Sequence, residues 1–193
     1  MSVLPAFDIG LWNAWILMVL LLAAGMAPLY LNYQRVETRC EGEPDVSELD
    51  RTTRISHVIT HMVIMPFTLI YSIFVPLKLG TYWLLAGVPV YLVGLLFALM
   101  FSVSFSTAPL GEPLSKGVWA ISRHPGYFGY FLGLVGIGIA CASWVFLLCA
   151  VVWIVAWHFG VTEEEHLLLE KYGDAYREYL NRTPRWIGFP KRN

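Results

Sequence analysis

The feature that most restricts the fold is an uncharged run from Tyr130 to Val161, which contains no Asp, Glu, Lys or Arg. As a single helix this run would extend roughly 48 Å, whereas the hydrocarbon layer of a bilayer is about 30 Å thick. The run is therefore predicted to fold back as a helical hairpin, with its reversal at residues 140–143. A hairpin returns the flanking polar stretches, 123–129 and 163–165, to the same side of a membrane.

Composition indicates whether this chain folds in water or in a membrane. Hydrophobic residues make up 57% of it and charged residues 14%, with a mean hydropathy of +0.59. Soluble domains carry about 25% charged residues because they need a wetted surface. The sequence therefore predicts an all-α integral membrane protein, organised as a single domain over 1–193, with N-terminal helices in 1–105 and a C-terminal region, 106–193, that contains both polar stretches.

The apolar segments predict about five transmembrane helices, the last two of which form the hairpin. The first segment is expected to be a retained helix, because it is too long for the core of a cleaved signal, which is about 7–15 residues. An amphipathic helix over 162–180 is predicted to lie at the membrane interface, where Arg185, Trp186 and the terminal basic residues would act as anchors. The predicted spans are 11–31, 55–77, 82–105 and the two arms of 127–159.

The distribution of Lys and Arg predicts the topology. If the loops 32–54 and 102–126 and the tail from 162 share one side, they hold all of the Lys and Arg residues except Lys78. Cytoplasmic loops are enriched in basic residues. We therefore expect a multi-pass cell-membrane protein whose N-terminus lies outside and whose polar stretches and C-terminus lie in the cytoplasm.

Small residues recur at three- and four-residue spacing along the first arm of the hairpin. This spacing places them on one helical face and allows another backbone to approach closely. For the later members we expect helix packing. Gly126 and Gly129 lie at the mouth of the hairpin, where the missing side chains could equally admit a ligand. The face comprises Gly126, Gly129, Gly133, Gly136 and Ala140.

Several other classes of site are disfavoured by the sequence. No glycine-rich nucleotide loop of the soluble type occurs, and no feature predicts a nucleic-acid partner. His57 and His61 share one helix face, yet the other histidines are too few and too scattered for a metal-dependent oxygenase, so no metal is expected. The three cysteines lack metal-ligand spacing and are expected to be packing residues.

The polar stretches nevertheless carry a resemblance. Together with the tail, they resemble the isoprenylcysteine carboxyl methyltransferase family, which is related to the phospholipid N-methyltransferases. The combination is specific, although no single piece of it is. The short chain is typical of a prokaryotic member. The resembling residues are Gly117 to Trp119, Arg123 to Gly129, Glu163 to Glu165, Tyr172, Gly173, Tyr176, Tyr179 and Thr183 to Arg185.

The resemblance implies methyl transfer from S-adenosylmethionine to a lipophilic acceptor at the cytoplasmic membrane face, with membrane lipids as partners of the protein and S-adenosylhomocysteine as product. The catalytic residues stay unassigned: a carboxylate acceptor is already ionised and would need no base, whereas an amine or thiol would need His124 or a glutamate to take its proton. The residues implied in cofactor binding are Leu114, Trp119, Arg123, His124, Pro125, Gly126, Tyr127, Gly129, Glu164 and Glu165.

One departure bears on the acceptor. In the eukaryotic enzymes of the family, an Arg four positions before the key Glu helps to bind the prenylcysteine carboxylate, whereas this chain has Gly160. The acceptor is therefore open between an isoprenylcysteine-like carboxylate and another lipid. Two alternatives remain: an NADPH-dependent sterol or steroid reductase, which would need more basic residues for the 2′-phosphate, and a membrane scaffold without activity.

Overall fold

A computed structural model describes residues 8–41 and 46–188 of the chain. These residues form eight α-helices, a π-helical segment and a short 3₁₀ turn. The helices are α1 (Trp15–Leu31), α2 (Tyr33–Cys40), α3 (Arg51–His57), α4 (Met65–Ser72), α5 (Tyr82–Thr107), α6 (Pro125–Ala140), α7 (Trp144–Tyr172) and α8 (Asp174–Arg182). The π segment is Val58–Ile64, and the 3₁₀ turn is Gly117–Ala120.

Fewer helices than the predicted five have the length of a membrane span. Within the described residues, Arg51–Ser72, α5 and α7 are long and apolar enough to cross a membrane. The pair α1 and α2 adds a fourth if the two are one span, although they are bent by 81°. The remaining apolar helix, α6, has 16 residues, or about 24 Å, and is short for a full crossing.

The predicted hairpin is confirmed: α6 ends at Ala140 and α7 begins at Trp144. The prediction of a separate tail helix over 162–180 was wrong. The α7 helix continues through the acidic stretch to Tyr172 without a break. The chain turns only at Gly173, whose φ of 57° favours glycine, and α8 then follows.

The predicted small-residue face packs α6 against α5. A Cβ atom on Gly129 would lie 2.7 Å from the backbone nitrogen of Ala98, and one on Gly94 of α5 would clash with the backbone of Gly133. The two backbones therefore approach so closely that side chains are excluded at these crossings. Gly138, which lies off this face, is also buried, and a Cβ atom there would lie 2.8 Å from the Leu147 side chain of α7.

The helix formed by α3, the π segment and α4 packs along α7. Its start is capped by Asp50, whose carboxylate accepts a hydrogen bond of 2.8 Å from the Thr53 amide. Thr53 Oγ1 donates to the Gly160 carbonyl at 3.0 Å, and Ser56 Oγ donates to the Ala156 carbonyl at 2.7 Å. These bonds fix the register between the two helices at the end of α7 that carries the acidic residues.

Candidate functional site

The centre of the polar site is the Glu165 carboxylate, which lies near the end of α7 and is only 8% exposed. Its Oε1 atom is 3.0 Å from both Arg123 Nη1 and His124 Nε2. Arg185 approaches with two nitrogens, Nε at 3.1 Å from Oε1 and Nη2 at 2.6 Å from Oε2. A buried carboxylate needs such partners, because an unpaired charge in the interior is strongly destabilising.

Glu164 has a different environment from its neighbour. Its Oε1 atom accepts a hydrogen bond of 2.5 Å from the Tyr127 hydroxyl, and its Oε2 atom is 3.6 Å from His124 Nδ1. The Glu164 side chain is 27% exposed, compared with 10% for Glu165. Of the two carboxylates, Glu164 is therefore the one that solvent or a ligand can reach.

Aromatic rings hold Tyr127 in place. Its ring stacks on Trp157 with 3.6 Å between ring centroids and 12° between planes. Trp153 Nε1 donates a hydrogen bond of 3.0 Å to the Tyr127 carbonyl. Because Trp157 and Trp153 lie about one and two turns of α7 before Val161, which itself lies one turn before Glu165, they are on the same face as Glu165.

The tail after α8 runs alongside the segment that enters α6. The Arg123 amide donates to the Pro184 carbonyl at 3.1 Å, and the Gly188 amide donates to the Ile121 carbonyl at 3.1 Å. This pairing brings Arg185 onto Glu165. The prediction that Arg185 and Trp186 are interface anchors was therefore wrong for Arg185, whose guanidinium is an internal partner.

Trp186 also lies at the site, beside two histidine rings. Its ring is 6.1 Å from that of His124 and 6.4 Å from that of His158, centroid to centroid. Its Nε1 atom is 3.4 Å from His158 Nδ1. The basic residues at 191 and 192, also predicted as anchors, lie outside the described residues.

The predicted glycines at the mouth of α6 serve packing in this structure. Pro125 occupies the first turn of α6, where its missing N–H is not needed. A Cβ atom on Gly126 would lie 3.0 Å from the Phe101 ring, and Gly129 faces Ala98 as described above. Both glycines therefore point at α5, which leaves the cluster around Glu164 as the part of the mouth that can contact a ligand.

Trp119 and Leu114 flank the mouth on the connection between α5 and α6. Trp119 Nε1 donates a hydrogen bond of 2.9 Å to Ser104 Oγ, and its carbonyl accepts one of 2.7 Å from the Tyr179 hydroxyl. Burial raises the pKa of Tyr179, so its hydroxyl stays protonated as a donor. Leu114 is half-buried in the irregular stretch before the 3₁₀ turn.

A cleft of about 380 Å³ lies on another face of α7. It is lined by Asp50 and Thr53 on one side and by Glu163, His166 and Glu170 on the other. These three α7 residues are spaced for one helix face, which does not include Glu165. Within the described stretches, no three His, Cys, Asp or Glu side chains converge as a metal site requires.

Reasoning from the sequence overlooked three residues of the site. Arg185 was assigned to the interface, and Trp153 and Trp157 were not considered. A detectable signal was present for the tryptophans, because positions 153, 157, 161 and 165 follow the four-residue spacing of one helix face. It was hidden by the assumption that the helix ends before the acidic stretch. Arg185 has no comparable local signal, since its partner lies 20 residues away.

Comparison with known proteins gives one matching family model, described as phospholipid methyltransferase, over residues 96–175. The chain is 31% identical over 77 residues to protein-S-isoprenylcysteine O-methyltransferase of Schizosaccharomyces pombe, covering 38% of this chain and 32% of that protein. The Arabidopsis thaliana enzyme B is 32% identical over 79 residues, 39% of each chain. The human enzyme is 33% identical over 82 residues, 40% of this chain and 28% of that one.

These matches cover only part of the relatives, at most 39% of the length of the three compared. They include the end of α5, all of α6 and α7 and the carboxylate pair, but Arg185 lies beyond the family match. Together with the apolar helices, they identify a multi-pass membrane protein.

Proposed function

We propose that this chain transfers a methyl group from S-adenosylmethionine to a lipophilic acceptor, because residues 96–175 match the phospholipid methyltransferase family model and the chain is similar to isoprenylcysteine O-methyltransferases. S-adenosylhomocysteine is the second product. The observation that carries the proposal is the paired arrangement of Glu164 and Glu165 against His124 and Tyr127, which lies inside the family-matched region.

The residues at the mouth fit the chemistry of this cofactor. Arg123 Nε is buried and has no hydrogen-bond partner within the described residues, so it is available to an acceptor atom such as a cofactor carboxylate or ribose oxygen. Glu164 offers a half-exposed carboxylate that suits the cofactor's ammonium or ribose hydroxyls. We assign Glu164 to cofactor contact and Glu165 to holding Arg123, His124 and Arg185 in position.

The remaining predicted residues line the same mouth in this proposal. Trp119 and the backbone near Leu114 flank the cofactor, while Pro125, Gly126 and Gly129 set the start of α6 against α5. Tyr127 positions the Glu164 carboxylate through its hydroxyl. The bound cofactor supplies an electrophilic methyl group on a cationic sulfur.

The protein's main task is alignment in a site that excludes water, because methyl transfer by in-line displacement needs no covalent intermediate. The segment 183–188, called the tail strap below, covers the cluster on one side together with Trp186, and Trp157 stacked on Tyr127 covers it on another side. In this proposal the site lies at the cytoplasmic face and the N-terminus lies outside, which the distribution of Lys and Arg supports.

The test is cofactor binding to purified protein in detergent, measured by calorimetry. We expect S-adenosylmethionine to bind, and Glu164→Gln to weaken its affinity roughly tenfold or more, as expected for losing a hydrogen bond to a charged group. Glu170→Gln, an exposed carboxylate on the same helix, is the matched control and should bind like the wild type. Binding of NADPH but not S-adenosylmethionine would favour the reductase alternative, and binding of neither would favour a scaffold.

A further inference from the structure

The short helix α2 carries two arginines that have no carboxylate partner. Arg35 and Arg39 are one turn apart and therefore lie on the same side of α2. Across residues 8–41 and 46–188, neither of them forms an ion pair. Glu37, the one acidic residue inside α2, is two positions from each arginine and so lies on another side of the helix. One side of α2 therefore presents two positive charges.

Both guanidinium groups meet the carboxyl end of α5. Arg35 Nη2 donates a hydrogen bond of 2.9 Å to the Ala108 carbonyl, and Arg39 Nη2 donates one of 2.7 Å to the same carbonyl. Arg39 Nη2 also donates to the Pro109 carbonyl at 3.0 Å. The negative end of a helix corresponds to about half an elementary charge, so it attracts the two cations but does not neutralise them.

The two arginines differ in what can reach them. Arg39 is buried, its guanidinium lies 5.5 Å from the centre of the Phe105 ring, and its backbone carbonyl accepts a hydrogen bond of 3.1 Å from Lys171 Nζ. Arg35 is exposed and donates a single hydrogen bond within the described stretches. Since a guanidinium has five N–H donors, most of those of Arg35 remain available to an anion from outside. Arg39 and Lys171 fix α2 in place.

This part of α2 lies where the apolar helices end. The α1 helix ends at Leu31, and α5, which is long and apolar enough to cross a membrane, ends at Thr107. Because α2 is bent by 81° from α1, it runs across the ends of these helices. Tyr30 and Leu31 are each 80% exposed, and Tyr33 is also exposed. Exposed aromatic and apolar side chains beside a basic one are typical of the level of the lipid head groups.

We propose that Arg35 binds the phosphate of an anionic phospholipid whose acyl chains lie along the exposed end of α1. A guanidinium can donate two parallel hydrogen bonds to phosphate oxygens, and basic residues near a membrane surface attract anionic lipids. A zwitterionic lipid fits less well, because its ammonium group would be repelled by Arg35 and Arg39. The inference concerns a lipid held beside α2 and does not depend on the methyl-transfer proposal.

The experiment measures binding of three probes to the full chain in detergent by native mass spectrometry: dioleoylphosphatidylglycerol, dioleoylphosphatidylcholine and inorganic phosphate. We expect phosphatidylglycerol to bind about tenfold more tightly than phosphatidylcholine, and phosphate without acyl chains to bind more weakly than either lipid. Arg35→Gln should weaken phosphatidylglycerol binding about tenfold, as expected for losing charged hydrogen bonds. Arg35→Lys keeps the charge but loses the planar fork, so its affinity should be intermediate.

Arg177→Gln is the matched control, because it removes an exposed arginine from α8. It should bind phosphatidylglycerol like the wild type. Since Arg35 is exposed, Arg35→Gln should keep the wild-type denaturation midpoint, and Arg35→Lys serves as the test variant if it does not. Equal binding of the two lipids, full phosphatidylglycerol binding by Arg35→Gln, or an equal loss in Arg177→Gln would overturn the inference. Phosphate binding as tight as that of the lipid would also overturn it, because the site would then take free anions.

Discussion

At the scale of single residues, the two adjacent glutamates differ in what surrounds them. Glu165 is enclosed by two arginines and a histidine, whereas Glu164 has one short bond to Tyr127 and remains partly exposed. The difference follows from their 100° separation around α7. One side chain faces the tail strap, and the other faces the mouth of α6. A single acidic stretch therefore supplies one structural carboxylate and one that a ligand can reach.

This contrast predicts that Arg185 contributes to stability. Arg185→Ala removes the bidentate partner of a buried carboxylate, and we expect it to lower the free energy of unfolding by about 2 kcal/mol. That is less than the roughly 3–5 kcal/mol for breaking an isolated buried pair, because Arg123 remains. The measurement is the denaturation midpoint in detergent.

Arg182 provides the matched control for this measurement. It pairs at 3.6 Å with Glu178, and both side chains are well exposed. Such surface pairs contribute about 0–1 kcal/mol, so Arg182→Ala should leave the midpoint nearly unchanged. Equal effects of the two substitutions would contradict an internal role for Arg185.

Most of the site's carboxylate and histidine residues were predictable from the sequence, because they lie in two short polar stretches beside an apolar run. His124, Tyr127, Glu164 and Glu165 do come together, as the hairpin requires. Arg185 was not predictable, since only the folded strap brings it to Glu165. The ligand-binding role first considered for Gly126 and Gly129 was ambiguous because a missing side chain serves a ligand or a neighbouring helix equally well.

At the scale of helices, the contact between α5 and α6 depends on glycines on both sides. Gly87 of α5 faces the backbone of Gly136 and Ala140 in α6. Gly94 of α5 faces the backbone of Gly129 and Gly133. The sequence predicted the α6 half of this contact from its spacing. The α5 half was missed, because two glycines seven residues apart in an apolar helix do not by themselves indicate which helix they meet.

We expect Gly94→Leu to separate α5 from α6 and to destabilise the protein. The added side chain would collide with backbone, which cannot move aside as a flexible side chain can. Ala86→Leu, an exposed position on the same helix, is the control and should retain the wild-type midpoint. If both variants unfold alike in detergent, the close approach of the two helices is not what stabilises this pair.

At the scale of the whole molecule, the fold places the polar loops at one end and the 78–81 turn at the other. Apolar length predicted about five spans, whereas three helices of the described residues, or four with α1 and α2 taken together, are long and apolar enough to cross, and α6 is short for a full crossing. The boundary after α7 was also misplaced, since an acidic start typical of a new helix here lies inside a continuous one. Only the glycine at 173, with its positive φ, ends that helix.

The orientation can be tested by cysteine labelling in intact cells. In a Cys40→Ser background, which removes the exposed native thiol, cysteines at Glu48, Lys116 and Asn181 should react with an impermeant reagent only after the membrane is opened. A cysteine at Lys78 should react from outside. Labelling of position 116 in intact cells would contradict a cytoplasmic site.

The α7 helix is continuous from Trp144 to Tyr172, so its two ends are parts of one rigid element. Its 29 residues extend about 43 Å, which exceeds the hydrocarbon layer of about 30 Å, so a membrane-spanning α7 extends beyond that layer. Trp157 and Glu165 are eight residues apart on this helix, or about 12 Å along its axis, and the helix is not interrupted between them. The indole that stacks on Tyr127 and the two carboxylates therefore cannot change their separation unless hydrogen bonds of the helix between them break.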